Sequence, residues 1–305
     1  MMNMAPMTET GKRVYPRPST YSIVAFDRES KSLGIAVQSK FISVGSVVPW
    51  ASWDSGAIAT QAYANTSYGP AGLQLLRDGH APDYVVKKLV SADRGREHRQ
   101  IGIVDRKGRA STFTGRKCMD WAGGVDGDGY AAQGNILVGE ETVDAMARAF
   151  ENSRSGFPER LIECLHAAQK AGGDRRGMQS AAILVVKNRG GYAGFNDRHI
   201  DLRVDDHPKP IEELERLFRL YKLIMLPEKD GEALRIDGEV CMKLQRNLSR
   251  LGFYDGPADG RMNRSLDRAL NNYISTNNFE NKKTRQGHVW RTVLDYMVKD
   301  KRKKV

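Results

Sequence analysis

The first strong pattern in the chain is a pair of β-branched runs, Thr20-Tyr21-Ser22-Ile23-Val24-Ala25-Phe26-Asp27 and Leu33-Gly34-Ile35-Ala36-Val37-Gln38-Ser39-Lys40, joined by the polar turn Arg28-Glu29-Ser30-Lys31. Runs of this kind around a short polar turn predict a β-hairpin. A third strand is predicted over 56–62. Helical spacing follows: Leu73, Leu75 and Leu76 up to a stop at Gly79, then Val85, Val86, Leu89 and Val90 from Pro82. Strands resume at 100–104 and 110–114, and a Gly-rich segment, 123–130, leads into a strand over 131–137. Two further helices carry Val143, Met146, Ala147 and Phe150, and then Leu161, Ile162 and Leu165 before Gly172-Gly173. Strands over 180–186 and 200–204 precede a helix that opens after Pro208-Lys209-Pro210 and carries Leu214, Leu217, Phe218 and Tyr221.

Hairpins, two helices, hairpins, two helices and strands form an order that fits an α+β fold with two sheets layered between helices, not a strict strand-helix alternation. Beyond a polar linker at 228–237, a separate pattern begins. Val240, Leu244, Leu248 and Leu251 share one helix face, a turn-rich loop spans 252–260, and Leu266, Ala269, Leu270 and Tyr273 share a second face. The expected organisation is a leader over 1–19, a main domain over 20–227, the linker, a small all-α domain over 238–280 and a basic C-terminal tail over 281–305.

Composition narrows the function classes. The net charge is +11, but much of the excess lies in the last 25 residues. No aromatic residues alternate with those charges as a nucleic-acid stacking platform requires, so nucleic acid is not an expected partner. Cys118, Cys164 and Cys241 are widely spaced, and the six histidines form no paired motif. Neither a disulfide framework nor a metal site is expected, and no cofactor. The loop Gly124-Val125-Asp126-Gly127-Asp128-Gly129 lacks the ligand spacing of a calcium loop. No apolar run is long enough to span a bilayer, and residues 1–19 lack the apolar core of a secretory signal, so the expected compartment is the cytoplasm, without membrane contact.

The candidate chemistry sits at the start of the first strand. If the peptide bond before Thr20 were cut, one residue would carry both a nucleophilic Oγ and a free α-amine. That amine has a reference pKa of roughly 7.7–8.0 and can take the hydroxyl proton near neutral pH. The alternative is that Thr20 merely begins a strand. Ser22, two residues on and on the same strand face, is the backup nucleophile. Lys40 ends the second strand; as a buried ammonium it would favour an unprotonated amine, and as a hairpin-end surface residue it would not. Oxyanion donors are expected from Thr60-Gln61 and from Gln133-Gly134-Asn135, with Asn135 the strongest side-chain candidate. Ser39, Asn65, Gln133, Asp197 and Arg198 are candidates for substrate contact. The leader either stays attached or is removed to expose Thr20.

Several blocks carry a resemblance. The hairpin from Thr20 to Phe41, Ser46-Val47-Val48-Pro49-Trp50-Ala51, Tyr68-Gly69-Pro70, Gln133-Gly134-Asn135, Gly172-Gly173-Asp174-Arg175-Arg176-Gly177 with Gln179-Ser180, and Asp201-Leu202-Arg203-Val204-Asp205-Asp206-His207-Pro208 resemble an uncharacterised bacterial family. That family is usually placed in the N-terminal-nucleophile (Ntn) hydrolase superfamily. The resemblance covers about residues 20–225. It implies a four-layer αββα sandwich and hydrolysis of an amide bond in a small or peptide-like substrate through an acyl-enzyme on Thr20; such sandwiches often associate, so a homo-oligomer is expected. In many members resembling this one, the matching Thr directly follows the initiator Met, whereas here a leader precedes it. A second resemblance, carried by Leu244-Gln245, Leu248, Leu251-Gly252-Phe253-Tyr254-Asp255-Gly256, Asp259-Gly260 and Ala269, is to the peptidoglycan-binding-like helical module. It implies a peptidoglycan fragment as a further partner. The rival to the hydrolase is a catalytically silent binding protein using the sandwich as a scaffold.

Overall fold

The protein is described by a computed structural model over residues 20–228 and 231–301. The expected leader, 1–19, and the last residues of the expected basic tail, 302–305, lie outside the described residues. The chain divides into two compact units, one up to Glu215 and one from Arg216 onward.

The first unit is mixed α+β. Its strands are β1 (Thr20–Asp27), β2 (Ser32–Ser39), β3 (Pro49–Ser52), β4 (Gly56–Ala62), β5 (Arg99–Asp105), β6 (Ala110–Thr114), β7 (Trp121–Gly127), β8 (Tyr130–Leu137), β9 (Ser180–Val186) and β10 (Arg198–Val204). They form a six-stranded sheet, ordered β10-β9-β2-β1-β8-β7, and a four-stranded sheet, ordered β3-β4-β5-β6. Every pairing in both sheets is antiparallel. Helices α1 (Tyr68–Arg77) and α2 (Pro82–Ser91) cover the smaller sheet, while α3 (Glu141–Asn152) and α4 (Phe157–Lys170) cover the larger.

Strand alternation explains why the sheets pack face to face. On β1, Val24 and Phe26 point inward and Tyr21 and Ile23 point to the helices. The same alternation puts Ile35 and Val37 of β2, Ala57 and Ala59 of β4, Val104 of β5 and Leu184 and Val186 of β9 into one buried cluster between the sheets. The opposite faces feed a second cluster, in which Ile58, Ile101 and Ile103 meet Val85, Val86 and Leu89 of α2. Close approach of α4 to the larger sheet depends on Gly34, where a Cβ would lie 2.5 Å from Leu161 Cδ1.

Three features of this unit differ from the reading of the sequence, the first being β3, Pro49–Ser52, an additional strand ahead of the expected third one at 56–62 and paired with it. The Gly-rich segment is not a loop: residues 121–127 form β7, the edge of the six-stranded sheet. Glycine and aspartate are poor strand formers, and here partner geometry overrides propensity; a Cβ at Gly124 would lie 2.7 Å from Thr112 Oγ1. The domain boundary also falls earlier than residue 227. It lies within α5 (Pro210–Met225), so the last turns of that helix belong to the second unit.

The second unit is mainly helical, with α6 (Gly238–Arg250), α7 (Arg264–Thr276) and α8 (Arg291–Lys299). It is not all-α. β11 (Ala233–Arg235), inside the expected linker, pairs antiparallel with β12 (His288–Trp290), inside the expected tail. The tail is therefore structural as far as Lys299. Its lysines and arginines are interleaved with Val289, Val293, Leu294 and Met297, which are buried with Leu244, Leu248, Leu270, Tyr273 and Phe279. Even one of its cations is internal: Lys282 is 3% exposed and donates from Nζ to the Leu226 carbonyl at 2.8 Å and to Glu228 at 3.2 Å. No helix among the described residues is long and apolar enough to cross a membrane.

The buried role of the last helix is testable. Met297→Ala should lower the stability of the second unit by about 2–5 kcal/mol, the usual range for a fully buried Met. A solvated basic tail would give no change in thermal or denaturant unfolding.

Candidate functional site

The rows of side chains between the two sheets change character at one end. On β1 the inward row reads Phe26, Val24, Ser22, Thr20; on β2 it reads Leu33, Ile35, Val37, Ser39; on β9 it reads Val186, Leu184, Ala182, Ser180. On β8 it reads Ala131, Gln133, Asn135, and on the facing sheet β4 gives Ala57, Ala59, Gln61 and β5 gives Val104, Gly102, Gln100. Antiparallel register puts all the polar ends together, because Thr20 pairs with both Ser39 and Asn135, Ser39 with Ser180, and Gln61 with Gln100.

This polar end is buried and almost fully hydrogen-bonded. Thr20, Ser22, Ser39, Gln61, Gln100, Gln133 and Ser180 are all 0% exposed, and Asn135 is 1% exposed. The Thr20 hydroxyl donates to Ser39 Oγ at 3.1 Å. Ser22 Oγ donates to Gln61 Oε1 at 2.6 Å and accepts from Gln133 Nε2 at 2.7 Å. Gln61 Nε2 and Asn135 Nδ2 both donate to Gln100 Oε1, each at 2.9 Å. Gln61 Nε2 also reaches the Thr20 carbonyl at 3.4 Å. Gln100 Nε2 in turn donates to the Gly134 carbonyl at 2.7 Å, to Gly123 O at 3.1 Å and to Thr114 Oγ1 at 2.9 Å. Gln133 Oε1 has no hydrogen-bond partner. Its amide fits because β5 carries Gly102 opposite; a Cβ there would lie 1.9 Å from Gln133 Oε1.

The structure thus brings together Thr20, Ser22, Ser39, Gln61, Gln133 and Asn135. Gly134 joins through its carbonyl, as an acceptor from Gln100. The other candidates go elsewhere. Lys40 is exposed, with Nζ 3.3 Å from the Met178 carbonyl, so it is not a buried ammonium beside Thr20. Its backbone N–H is held by Asp174 Oδ2 at 2.9 Å. Thr60 points to the helix side of its strand and donates to the Asn65 carbonyl at 3.3 Å. Asn65 braces the start of α1, accepting from Ser67 and donating to Asp93. Asp197 and Arg198 sit at the far end of the six-stranded sheet, since Arg198 pairs with Val186, Val186 with Leu33 and Leu33 with Phe26. That is six strand positions from Thr20, about 20 Å at the usual rise. There Arg198 pairs with Asp201, and Asp197 accepts from the Trp53 backbone.

Sequence reading missed Gln100, the residue with most contacts in the network. A signal existed in Gln100-Ile101-Gly102-Ile103-Val104, where the inward row of a strongly apolar strand ends on an amide two residues from a glycine.

Beside Asn135 lies a small cleft lined by Ala62, Tyr63, His98, Lys117, Cys118, Met119, Asn135 and Ile136. Two of these hold a left-handed backbone: Ala62 has φ 62° and Ile136 φ 53°. They directly follow Gln61 and Asn135. For a β-branched residue this conformation is a real outlier, costing on the order of 1–3 kcal/mol, and surrounding bonds hold it in place. Ile136 N donates to Met119 O and its carbonyl accepts from Arg175 N, each at 3.1 Å. Burial pushes the Cys118 thiol up to about 11, so it is not a thiolate near neutral pH.

A protein-family model described as a family of unknown function, DUF1028, matches residues 20–214. A second, described as "Putative peptidoglycan binding domain", matches residues 224–297. A search of curated proteins gives no match. Among solved structures, the crystal structure of protein SPO2555 from Silicibacter pomeroyi, under the same DUF1028 heading, is 34% identical and superposes with a TM-score of 0.63. The match covers 68% of this chain and 91% of that one.

Gln100 is the keystone of the polar end, so Gln100→Leu should be costly. It removes one acceptor shared by the Gln61 and Asn135 amides and the Nε2 donor that serves the Gly134 carbonyl, Gly123 O and Thr114 Oγ1, at about 1–3 kcal/mol for any group left unsatisfied. Denaturant unfolding should show a loss well above that of an ordinary core substitution of equal volume.

Proposed function

The chain belongs to the DUF1028 family of unknown function, and on that premise we propose that it is an amide hydrolase of the Ntn type, with Thr20 as nucleophile once the peptide bond to Ser19 is cut. The observation that carries this reading is the position of Thr20: first residue of a central strand, hydroxyl 3.1 Å from Ser39 Oγ, at the end of the inter-sheet space where Gln61, Gln100 and Asn135 gather. The layering of α1–α2, the two sheets and α3–α4 is what an αββα sandwich of that superfamily would require, and it supports the reading.

In the proposed cycle the Thr20 Oγ attacks the substrate carbonyl carbon while its proton passes to the Thr20 α-amine. The carbonyl π electrons move to oxygen, and that oxyanion is met by neutral amide donors, with Asn135 the side chain best placed by register. Collapse breaks the C–N bond, the α-ammonium returns its proton to the leaving nitrogen, and an ester on Thr20 remains. Water attacks the ester with the amine again accepting a proton; collapse breaks the acyl C–Oγ bond, the ammonium returns that proton to Thr20 Oγ, and the carboxylic acid leaves. The side chains that hydrogen-bond around Thr20 (Ser22, Ser39, Gln61, Gln100, Gln133 and Asn135) are uncharged, and the charged group at this strand end is the buried Asp174 carboxylate bonded to Lys40 N.

A second reading rests on the match over residues 224–297. In it the chain binds a cell-wall fragment through the second unit, and the first unit is a silent scaffold. Full-length protein should then sediment with purified peptidoglycan, and a first unit alone should not retain that property.

The hydrolase reading is tested by intact mass and N-terminal sequencing of wild type and Thr20→Ala. Wild type should begin at Thr20, and the alanine variant should keep residues 1–19. Amide hydrolysis by the processed form should rise with pH as the amine deprotonates. Wild type that keeps Ser19 bonded to Thr20 has no free amine there and overturns the mechanism.

A further inference from the structure

Resting on the reading in which the second unit takes a cell-wall fragment, we propose that the cleft between α7 and the segment 282–289 binds the free carboxylate end of a short peptide with small apolar side chains. The part of the cell wall recognised is then its stem peptide and not its glycan.

The cleft has the room and the floor for such a ligand. It lies within the second unit and encloses about 260 Å³, against about 20 Å³ for the cleft beside Asn135, so a ligand several bonds long fits here and not there. Ile236, Leu270, Ile274, Val289 and Val293 make the floor, and all are buried. A methyl side chain loses water contact there at a gain, whereas sugar hydroxyls would find no partners. Among the described residues the His288 imidazole is the one ring in the lining, so a pyranose has no broad aromatic face to stack on.

The rim carries a prearranged cation. Residues 285–288 form a turn closed by His288 N on the Arg285 carbonyl at 3.2 Å, with Gly287 at φ 74° in its third position. That turn brings the His288 ring back to Arg285, whose Nε donates to His288 Nε2 at 3.2 Å. Nε2 is therefore an acceptor, and the proton sits on Nδ1, 3.2 Å from the Gln286 carbonyl. With Nε held by the imidazole, the guanidinium keeps its two terminal nitrogens, and no carboxylate among the described residues pairs with them. This is the fork that takes a carboxylate through two parallel hydrogen bonds.

The rest of the lining leaves that charge uncompensated. Lys283 lines the same cleft and has no acidic partner among the described residues, while the Lys282 ammonium is turned inward to the Leu226 carbonyl and Glu228. Asp267 is the one carboxylate in the lining among the described residues. It stands in the first turn of α7, where the helix dipole favours it, and accepts from Asn271 at 3.3 Å. An apolar floor under an unpaired guanidinium selects a ligand that is apolar along its length and anionic at its end.

The test compares end groups. N-acetyl-alanyl-alanine and its C-terminal amide differ only in charge at one end, and each is titrated into isotope-labelled full-length protein while backbone resonances are followed by NMR, with chitotetraose as a neutral glycan. The acid should shift resonances of Leu270, Gly287 and His288 saturably, and the amide and the glycan should not. Arg285→Ala should weaken binding of the acid about tenfold, Arg285→Lys should restore only part of it because an ammonium makes no forked contact, and Lys107→Ala in the first unit should leave it unchanged. Sedimentation of the Arg285→Ala protein with purified peptidoglycan should fall in parallel. Equal response to acid and amide, response to the glycan alone, no response, or indifference to Arg285→Ala overturns the site. A protein that gives one of those results and still sediments with peptidoglycan keeps the cell-wall reading and loses only this site. Acid-selective binding through Arg285 in a protein that does not sediment upholds the site, makes another peptide C-terminus its source and overturns the cell-wall reading.

Discussion

The structure depends most on how the two sheets of the first unit are closed at one end. Along most of their interface apolar rows meet apolar rows, and area burial suffices. At the Thr20 end the rows present eight hydroxyls and amides, and each must find a partner inside the protein or cost one to several kcal/mol. Gln100 solves this. Its carbonyl accepts from amides of both sheets, Gln61 from its own and Asn135 from the other, while its Nε2 fastens the Gly134 carbonyl. One side chain on β5 therefore ties together β4, β6, β7 and β8, and with them the surroundings of Thr20. Such a network is strong only when complete.

The absence of charge among these side chains has chemical consequences. An ionised partner near Thr20 would bring its own titration and a large desolvation cost, whereas neutral amides act as fixed dipoles. Lys40, which could have supplied a buried ammonium, instead turns outward one residue past Ser39, and its backbone N–H is claimed by Asp174.

Much of this was legible in the sequence. Alternating β-branched runs locate β1, β2, β4, β5, β6, β8, β9 and β10, helical spacing locates α1 to α7, and Thr20, Ser22, Ser39, Gln61, Gln133 and Asn135 stand out by position, residue type and the blocks that resemble a known family. What could not be read was register across the sheets. Gln100 looked like a strand boundary because nothing local says that it will face Gln61 and Asn135. Asp197 and Arg198 looked available because a Gly-rich turn gives no indication of which sheet end it occupies. β7 was hidden by glycines that a strand normally avoids, and accepted here because neighbouring strands approach closely. The last helix was hidden by its charges: lysines and arginines at the outward positions masked Val293, Leu294 and Met297 at the inward ones.

Closing the sheets with polar residues is not the cheapest solution available to this chain. The opposite end uses Phe26, Leu33 and Val186, which bury apolar area with no partners to satisfy. Replacing a buried polar network by well-packed apolar side chains is commonly neutral or stabilising, so stability alone does not account for Thr20, Gln61, Gln100, Gln133 and Asn135. The same end carries a second, independent cost, the left-handed backbone at Ala62 and Ile136, each placed one residue after a member of the network. Two unrelated destabilising features on adjoining residues of two different sheets are hard to explain by packing. They are what a site requires when donors must be held in fixed orientations next to a small opening.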